Sequence, residues 1–333
     1  MIDFAKARVL VTGGAGFIGS ALVWELNRRG CERIVIADFL ESSEKWKNLV
    51  PLSFEDYLEA DDLLPRLNSK SIGRFDVVLH MGACSSTTER NASYLARNNY
   101  EFTKDLAGCA LASNARFVYA SSAATYGDGS AGMKDDSSLP YLHTLRPLNM
   151  YGYSKQMFDL YAAQRGILDK IVGVKFFNIF GPNENHKGDM RSLVNKAYEQ
   201  VVETGEIKLF RSYRDEYADG EQRRDFLYVN DAVAMTLHLA AGDNTNGLFN
   251  VGSGEANTWL DLASAVFAAL GKMPNIRFID MPLELRGKYQ YFTQADIGSL
   301  RARGYTAPIT PLANAVADYV QHYLVPSVHL GDA

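Results

Sequence analysis

The chain has 333 residues, of which 47% are hydrophobic and 22% charged, and a formal net charge of −5. That length predicts about two domains, and the balance is that of a globular protein and not of a disordered one. A net negative chain without a Lys/Arg cluster repels polyanions, which argues against nucleic acid, although a small anion can still meet a locally basic pocket.

The cysteines, Cys31, Cys84 and Cys109, are odd in number and match no metal-ligand spacing, so reduced thiols and no metal site are expected. Residues 1–8 carry Asp3, Lys6 and Arg8 and run straight into a fold motif, which predicts no signal peptide. No apolar stretch approaches the ~20 residues of a membrane helix. A cytoplasmic protein is expected.

In chain order, residues 8–12 (RVLVT) read as a strand ending at a glycine cluster, with a helix over 17–29. Residues 33–37 (RIVIA) form a second strand with Asp38 at its end, and 76–80 (DVVLH) another, followed by a long helix over 94–112. Strands at 116–121 and 171–176 enclose a helix over 151–163. Continuous apolar strands alternating with helices predict a parallel sheet buried on both faces. After Gly181-Pro182 the rhythm changes: a helix at 193–203, a strand at 208–210, a charged run at 211–224, a strand at 248–251 and a helix at 259–270. The expected fold is therefore α/β, a Rossmann-type doubly wound sheet over residues 1–178 with a smaller α/β substrate domain over 179–333. The chain returns to the first domain around 225–251.

In the first turn, VLVTGGAGFIGS (9–20), Gly13, Gly16 and Gly19 stand three apart between strand and helix, and Gly14 completes G-x-G-x-x-G with the last two. A tight turn, close approach of backbone to pyrophosphate, and helix–strand packing each require the absence of a Cβ. Asp38, some twenty residues on, supplies the acceptor that such a site uses for a ribose 2′-OH. Lys45 could instead meet a 2′-phosphate, so these residues leave NAD and NADP both open. Tyr151 and Lys155 are four apart in a predicted helix and share a face. A phenol is a poor base at neutral pH unless neighbouring cations, here Lys155 and an oxidised nicotinamide, favour its phenolate. Serines 121 and 122 close a strand, at the edge where open α/β sheets bind ligands. Glycine loop, strand-end serine and Tyr/Lys helix, in that order, point to hydride chemistry on a hydroxyl group.

The chain resembles the extended short-chain dehydrogenases/reductases throughout, including His80–Ala83 (HMGA) and Arg224–Asp231 (RDFLYVND). More narrowly it resembles the ADP-L-glycero-D-manno-heptose 6-epimerases over nearly its whole length. The segments that carry this are GACSSTTE (82–89), YASSAATYG (119–127), NMYGYSK (149–155), FFNIFGP with HKG (176–188) and GKYQYFTQAD (287–296). The resemblance implies tightly held NADP, a substrate with an exocyclic C6, a role in lipopolysaccharide core biosynthesis, and a closed homo-oligomer, a pentamer in that family. It assigns Tyr151 and Lys187 as the acid/base pair, supported by Ser122 and Lys155. Beyond the glycines, Phe17, Ile18, Asp38, Phe39, Lys45, Asn98, Ile179, Lys187 and the segment Met81, Gly82, Ala83, Cys84, Ser85 match cofactor contacts. Ser122, Asn178, Lys187, Asp189, Lys196, Phe210, Arg211, Ser212, Tyr213, Arg224 and Tyr289 match substrate positions.

Two acid/base groups make chemical sense for inversion at C6. Hydride leaves C6 while a base takes the hydroxyl proton; rotation about C5–C6 then presents the other face of the flat ketone, with its oxygen pointing elsewhere. A second acid must stand there. Without the resemblance, Lys187 reads as a solvated loop lysine and His186 as a loop residue. The pattern is broken at Ala60, where a lysine is usual, and at Asp189 and Lys196, in place of serine and histidine. The run after Phe210 is also longer than usual, and residues 211–221 read as a solvated loop. A UDP-hexose 4-epimerase would share the loop, serine, tyrosine and lysine but would not need Lys187. A 4,6-dehydratase would want an acidic pair where Ala123-Ala124-Thr125 stands, and a non-catalytic dinucleotide-binding regulator tends to lose the tyrosine or lysine.

Overall fold

The computed structural model describes residues 1–287 and 289–332; Lys288, in the last of the resembling segments, lies outside the described residues. Seven parallel strands form the central sheet: β1 (Val9–Thr12), β2 (Ile34–Asp38), β3 (Asp56–Glu59), β4 (Val77–His80), β5 (Arg116–Ser122), β6 (Val172–Phe176) and β7 (Gly247–Val251). Their spatial order is β7-β6-β5-β4-β1-β2-β3. Side chains alternate between two cores: Val9, Val11, Val77 and Leu79 enter one, and Leu10, Val35, Val78 and Phe117 the other. A strand buried on both faces cannot show polar alternation, which is why these strands read as apolar runs. The exception is β3 (DYLE), which buries only Leu58 and escapes a search for such runs.

Helices α1 (Phe17–Arg28), α2 (Ala60–Asn68), α3 (Phe102–Ala112) and α4 (Met150–Gln164) follow strands β1, β3, β4 and β5. The single helix expected over 94–112 is broken: a π-turn at Ala96–Glu101 separates Ala92–Leu95 from α3. Such turns often mark functional sites. Here it presents Asn98 to a groove and turns Asn99 inward, where its amide bonds both backbone groups of Cys84 at 2.9 Å and Ser154 Oγ at 3.0 Å.

Beyond β6 a short parallel pair, Asn178–Phe180 with Phe226–Tyr228, extends the chain outward. Helices α5 (Leu193–Thr204), α7 (Trp259–Ala269) and α8 (Leu312–Tyr319) pack together beside a parallel pair of strands, Ile207–Phe210 and Ile276–Ile279. Between them α6 (Val229–Ala241) packs on α1, and β7 joins the sheet edge beside β6. No described helix is long and apolar enough to cross a membrane.

Sheet direction reverses between β1 and β4: the chain winds out to β3 and then resumes on the other side of β1. The loops after β1 and β4 therefore diverge and leave a crevice at the carboxyl ends of the strands, the position where open α/β sheets take ligands.

Candidate active site

The loop after β1 is shaped by two glycines in particular. Gly13 has φ +67°, and a Cβ there would lie 2.6 Å from the Gly82 nitrogen of the loop after β4. Gly19 faces back on the turn, where a Cβ would meet the Gly13 oxygen at 2.0 Å. The result is α1 starting directly at the crevice, capped by Gly16 with no side-chain cap and no acidic residue in its first turn. Its free N–H groups and positive dipole end are a ready anion seat. Gly13, Gly16, Phe17, Ile18 and Gly19 wall a groove of about 340 Å³ together with Asp38, Lys45, Met81, Gly82, Ala83, Ser85, Lys155, Ile179 and Lys187. An adjoining cavity of about 530 Å³ adds Phe39, Cys84 and Asn98. All the residues that sequence reasoning matched to a cofactor thus lie around one continuous crevice. A glycine turn that admits no Cβ beside an uncapped helix N-terminus fits a dinucleotide.

Tyr151 opens α4. Asn149 caps this helix by accepting from the Gly152 N–H at 2.8 Å, and Gly152 lets it press on the turn after β5, since a Cβ would sit 2.7 Å from Ala124 O. That close approach sets Tyr151 beside Ser122 on one wall of the crevice, where Ser122 Oγ accepts from Ala124 N at 3.1 Å. One turn on, Lys155 donates from Nζ to Ala120 O at 2.8 Å. Burial pulls its pKa down to about 8, against the opposing pull of Asp159 and Cys84. Burial is the largest influence on Tyr151 and raises its pKa; the neighbouring Ser122 hydroxyl lowers it and Cys84 raises it. With its ammonium turned to Ala120, Lys155 leaves the tyrosine a phenol as far as the protein alone decides.

A further turn along α4, Asp159 is fully buried. It accepts from Lys175 Nζ at 2.5 Å, Tyr119 OH at 2.8 Å and Ser121 Oγ at 2.9 Å, while Lys175 also donates to Thr125 Oγ1 at 2.8 Å. This ion pair ties α4, β5 and β6 beneath the Tyr/Lys pair.

Lys187 comes from the turn Asn185–Met190, far from Tyr151 in the chain. Its ammonium lies 5.1 Å from the Phe17 ring centroid. Asn48 staples this turn to the glycine loop: its amide donates to Ala15 O at 3.0 Å and Asn183 O at 3.1 Å and meets His186 Nδ1 at 3.3 Å. Burial lowers the Lys187 pKa, Glu184 opposes that, and Lys196 adds to it. Glu184 is itself fully buried, bonded by Ser192 N and Oγ, both at 2.6 Å. His186, its pKa pushed down to about 4 chiefly by burial, is a neutral member of the staple.

A second cavity of about 650 Å³ opens on the far side of this junction, and Ser122, Tyr151, Ile179, Lys187 and Met190 wall both it and the dinucleotide groove. Asn178, Lys196, Phe210 and Tyr289 line it as well. Arg224 stands just behind, with its guanidinium 5.0 Å from the Tyr289 centroid and 5.6 Å from that of Trp259. Four expected substrate positions are not brought to this wall. Arg211 pairs with Asp219 at 3.0 Å, Ser212 N donates to the same carboxylate at 2.7 Å, and Tyr213 OH donates to Asp280 at 3.0 Å under the Arg286 guanidinium. These bonds fold the run back on itself and hold the three side chains outside. Asp189 is exposed and offers Lys196 only its carbonyl, at 3.2 Å. Sequence reading missed Gln200 and Lys208 on the same wall. Lys208 was accessible by parity, since it shares a strand face with Phe210. Asn48, Asn99 and Glu184 carry no local signal.

The model of the NAD dependent epimerase/dehydratase family matches residues 9–252. The ADP-L-glycero-D-manno-heptose-6-epimerase of Nitratidesulfovibrio vulgaris (strain Hildenborough) is 52% identical over 95% of this chain and 97% of its own length. That of Fusobacterium nucleatum is 44% identical over 95% and 98%. Among solved structures, the Helicobacter pylori ADP-L-glycero-D-manno-heptose-6-epimerase superposes with a TM-score of 0.81 at 26% identity, covering 96% of this chain and 97% of that one. With the glycine loop, strand-end serine, Tyr/Lys helix and HKG turn assembled on one crevice, the chain belongs to the NAD dependent epimerase/dehydratase family, among its ADP-L-glycero-D-manno-heptose-6-epimerases.

Proposed function

We propose that this protein inverts C6 of ADP-D-glycero-D-manno-heptose to give the L-glycero epimer through a transient 6-ketone. The observation that carries the reading is that Tyr151 and Lys187, from opposite sides of the crevice, share the wall between the dinucleotide groove and the second cavity. The names of the relatives support the same substrate.

A bound nicotinamide dinucleotide supplies a hydride acceptor that later returns the hydride. The α1 N-terminus would hold its pyrophosphate, Asp38 its adenosine ribose, and Lys155 its other ribose. Ser122 donates to the C6 oxygen in one orientation, and Tyr151 exchanges that oxygen's proton. When the ketone rotates about C5–C6, its oxygen turns from Tyr151 toward Lys187, which exchanges the proton on that side. A buried amine with a lowered pKa is suited to both directions, because it neither holds nor releases the proton too firmly. Phe210 and Tyr289 flank the nucleotide end, and Lys196 and Lys208 bring positive charge to the diphosphate. By the family resemblance we assign the enzyme to the cytoplasm, to lipopolysaccharide core biosynthesis and to a closed homo-oligomer, a pentamer.

The test is incubation with ADP-D-glycero-D-manno-heptose and NMR readout of the C6 configuration. Tyr151→Phe and Lys187→Met should each lose about 10²-fold or more in epimerisation while dinucleotide stays bound. Full activity in either variant refutes the two-base scheme, and turnover of UDP-glucose in place of the heptose refutes the substrate.

A further inference from the structure

On the side of β2 the groove ends at a wall formed by Asp38, Phe39, Glu41, Lys45, Ala60 and Asp61. Because β1 lies between β2 and β4, Arg97 and Asn98 face this wall from across the cavity. With a pyrophosphate on the N-terminus of α1, the adenosine ribose and its 2′ position fall here.

The acceptor capacity of Asp38 is nearly used by the protein. Oδ1 accepts from Phe39 N and from Lys45 Nζ, both at 2.8 Å, and Oδ2 accepts from Ala15 N at 2.9 Å. A carboxylate oxygen takes about two donors, so Oδ1 is filled and Oδ2 has room for one more. A ribose 2′-hydroxyl is such a donor. A 2′-phosphate brings only acceptors and a charge of about −1.5 to −2.

The cation needed for that phosphate is committed elsewhere. Lys45 is held in its ion pair with Asp38, with the two side chains 18% and 9% exposed. Ala60 contributes no charge, and Glu41 and Asp61 add two more carboxylates. Among the described residues of this cavity the remaining cation is Arg97, on the opposite wall. A phosphate at the 2′ position would therefore have to break the Lys45–Asp38 pair and leave Asp38 facing it.

We infer that this groove selects NAD over NADP, with Asp38 reading the 2′-hydroxyl and Ala60 withholding the charge that NADP requires. The inference rests on the dinucleotide reading above and departs from the NADP that the resemblance implies. The experiment is titration of dinucleotide-stripped protein with NAD⁺ and with NADP⁺ by intrinsic fluorescence, alongside mass spectrometry of the nucleotide released from protein as purified. NAD⁺ should bind at least about tenfold more tightly, and Ala60→Lys should tighten NADP⁺ by about tenfold with little change for NAD⁺. Tighter binding of NADP⁺ by the wild type overturns the inference and leaves the epimerase reading standing. An Ala60→Lys variant with an unchanged ratio overturns the role of Ala60. Binding of neither nucleotide overturns both readings.

Discussion

Glu184→Gln is the sharpest probe of how Lys187, the proposed second acid/base residue, is tuned. Glu184 raises the Lys187 pKa against the pull of burial, and it does so from a fully buried position. Glutamine keeps the shape: its oxygen can accept from Ser192 N, and the Ser192 hydroxyl can turn to accept from the new amide. The loss in hydrogen bonding should be about 1 kcal/mol. The electrostatic effect is larger. Opposite unit charges a few ångströms apart at an effective dielectric of ~20 interact by on the order of 2–4 kcal/mol. Burial raises the Glu184 pKa while Lys187 and the Ser192 hydrogen bonds oppose that rise, and removing its charge should lower the Lys187 pKa further. Initial rates of C6 inversion across the pH range should show the limb governed by Lys187 moved to lower pH. Thermal unfolding and dinucleotide content serve as controls. A folded, dinucleotide-bound variant with an unmoved profile, or one shifted to higher pH, would refute the reasoning.

Asp159→Asn leaves the Lys175 ammonium buried beside a neutral partner and should cost about 3–5 kcal/mol in urea unfolding. Asp159→Asn with Lys175→Met should recover most of that loss, and no recovery would mean that the pair is not the source of it. Arg211→Ala removes a half-exposed ion pair, worth less than about 1 kcal/mol, and should leave KM for the sugar nucleotide within about twofold; a large rise in KM would return Arg211 to the substrate wall. His80, held between Thr12 and Thr103 hydroxyls at 2.6 and 2.8 Å, has its pKa pushed down to about 3 by burial, and His186 to about 4. Both stay neutral in the fold while the unfolded chain takes up protons below about pH 6.5. Stability should therefore be pH-insensitive on their account above that value. It should fall as pH drops from about 6.5 toward 4, with a ceiling of about 1.4 kcal/mol per pH unit for each histidine. Urea midpoints across that window test this, and His80→Asn should flatten the slope.

Much of the first half of the molecule was legible in the residues. Strands buried on both faces appear as apolar runs, and the glycine loop is required by local backbone geometry, so β1, α1, β2 and their ligand groups could be read in place. Tyr151 and Lys155 followed from the helical period, and Ser122 from its place at a strand end. The polar edge strand β3 was not legible, because a strand that buries one residue carries no apolar signature. The π-turn at Ala96–Glu101 also escaped, since it keeps the hydrophobic pattern of a helix while turning Asn99 inward.

What local sequence determined, then, was the set of chemical groups and the order in which a parallel sheet would present them. Residue resemblance, not periodicity, singled out Lys187; only the folded chain, through Asn48 and the neighbouring Glu184, gave it a position and a shifted pKa. The same holds for Arg211, Ser212 and Tyr213, which their bonds to Asp219 and Asp280 hold away from the cavity, and for Lys45, whose charge is paired with Asp38. Burial arises between segments far apart in the chain, and even pairs seven or eight residues apart, such as Lys45–Asp38 and Arg211–Asp219, form only because the fold turns the loop between them back on itself.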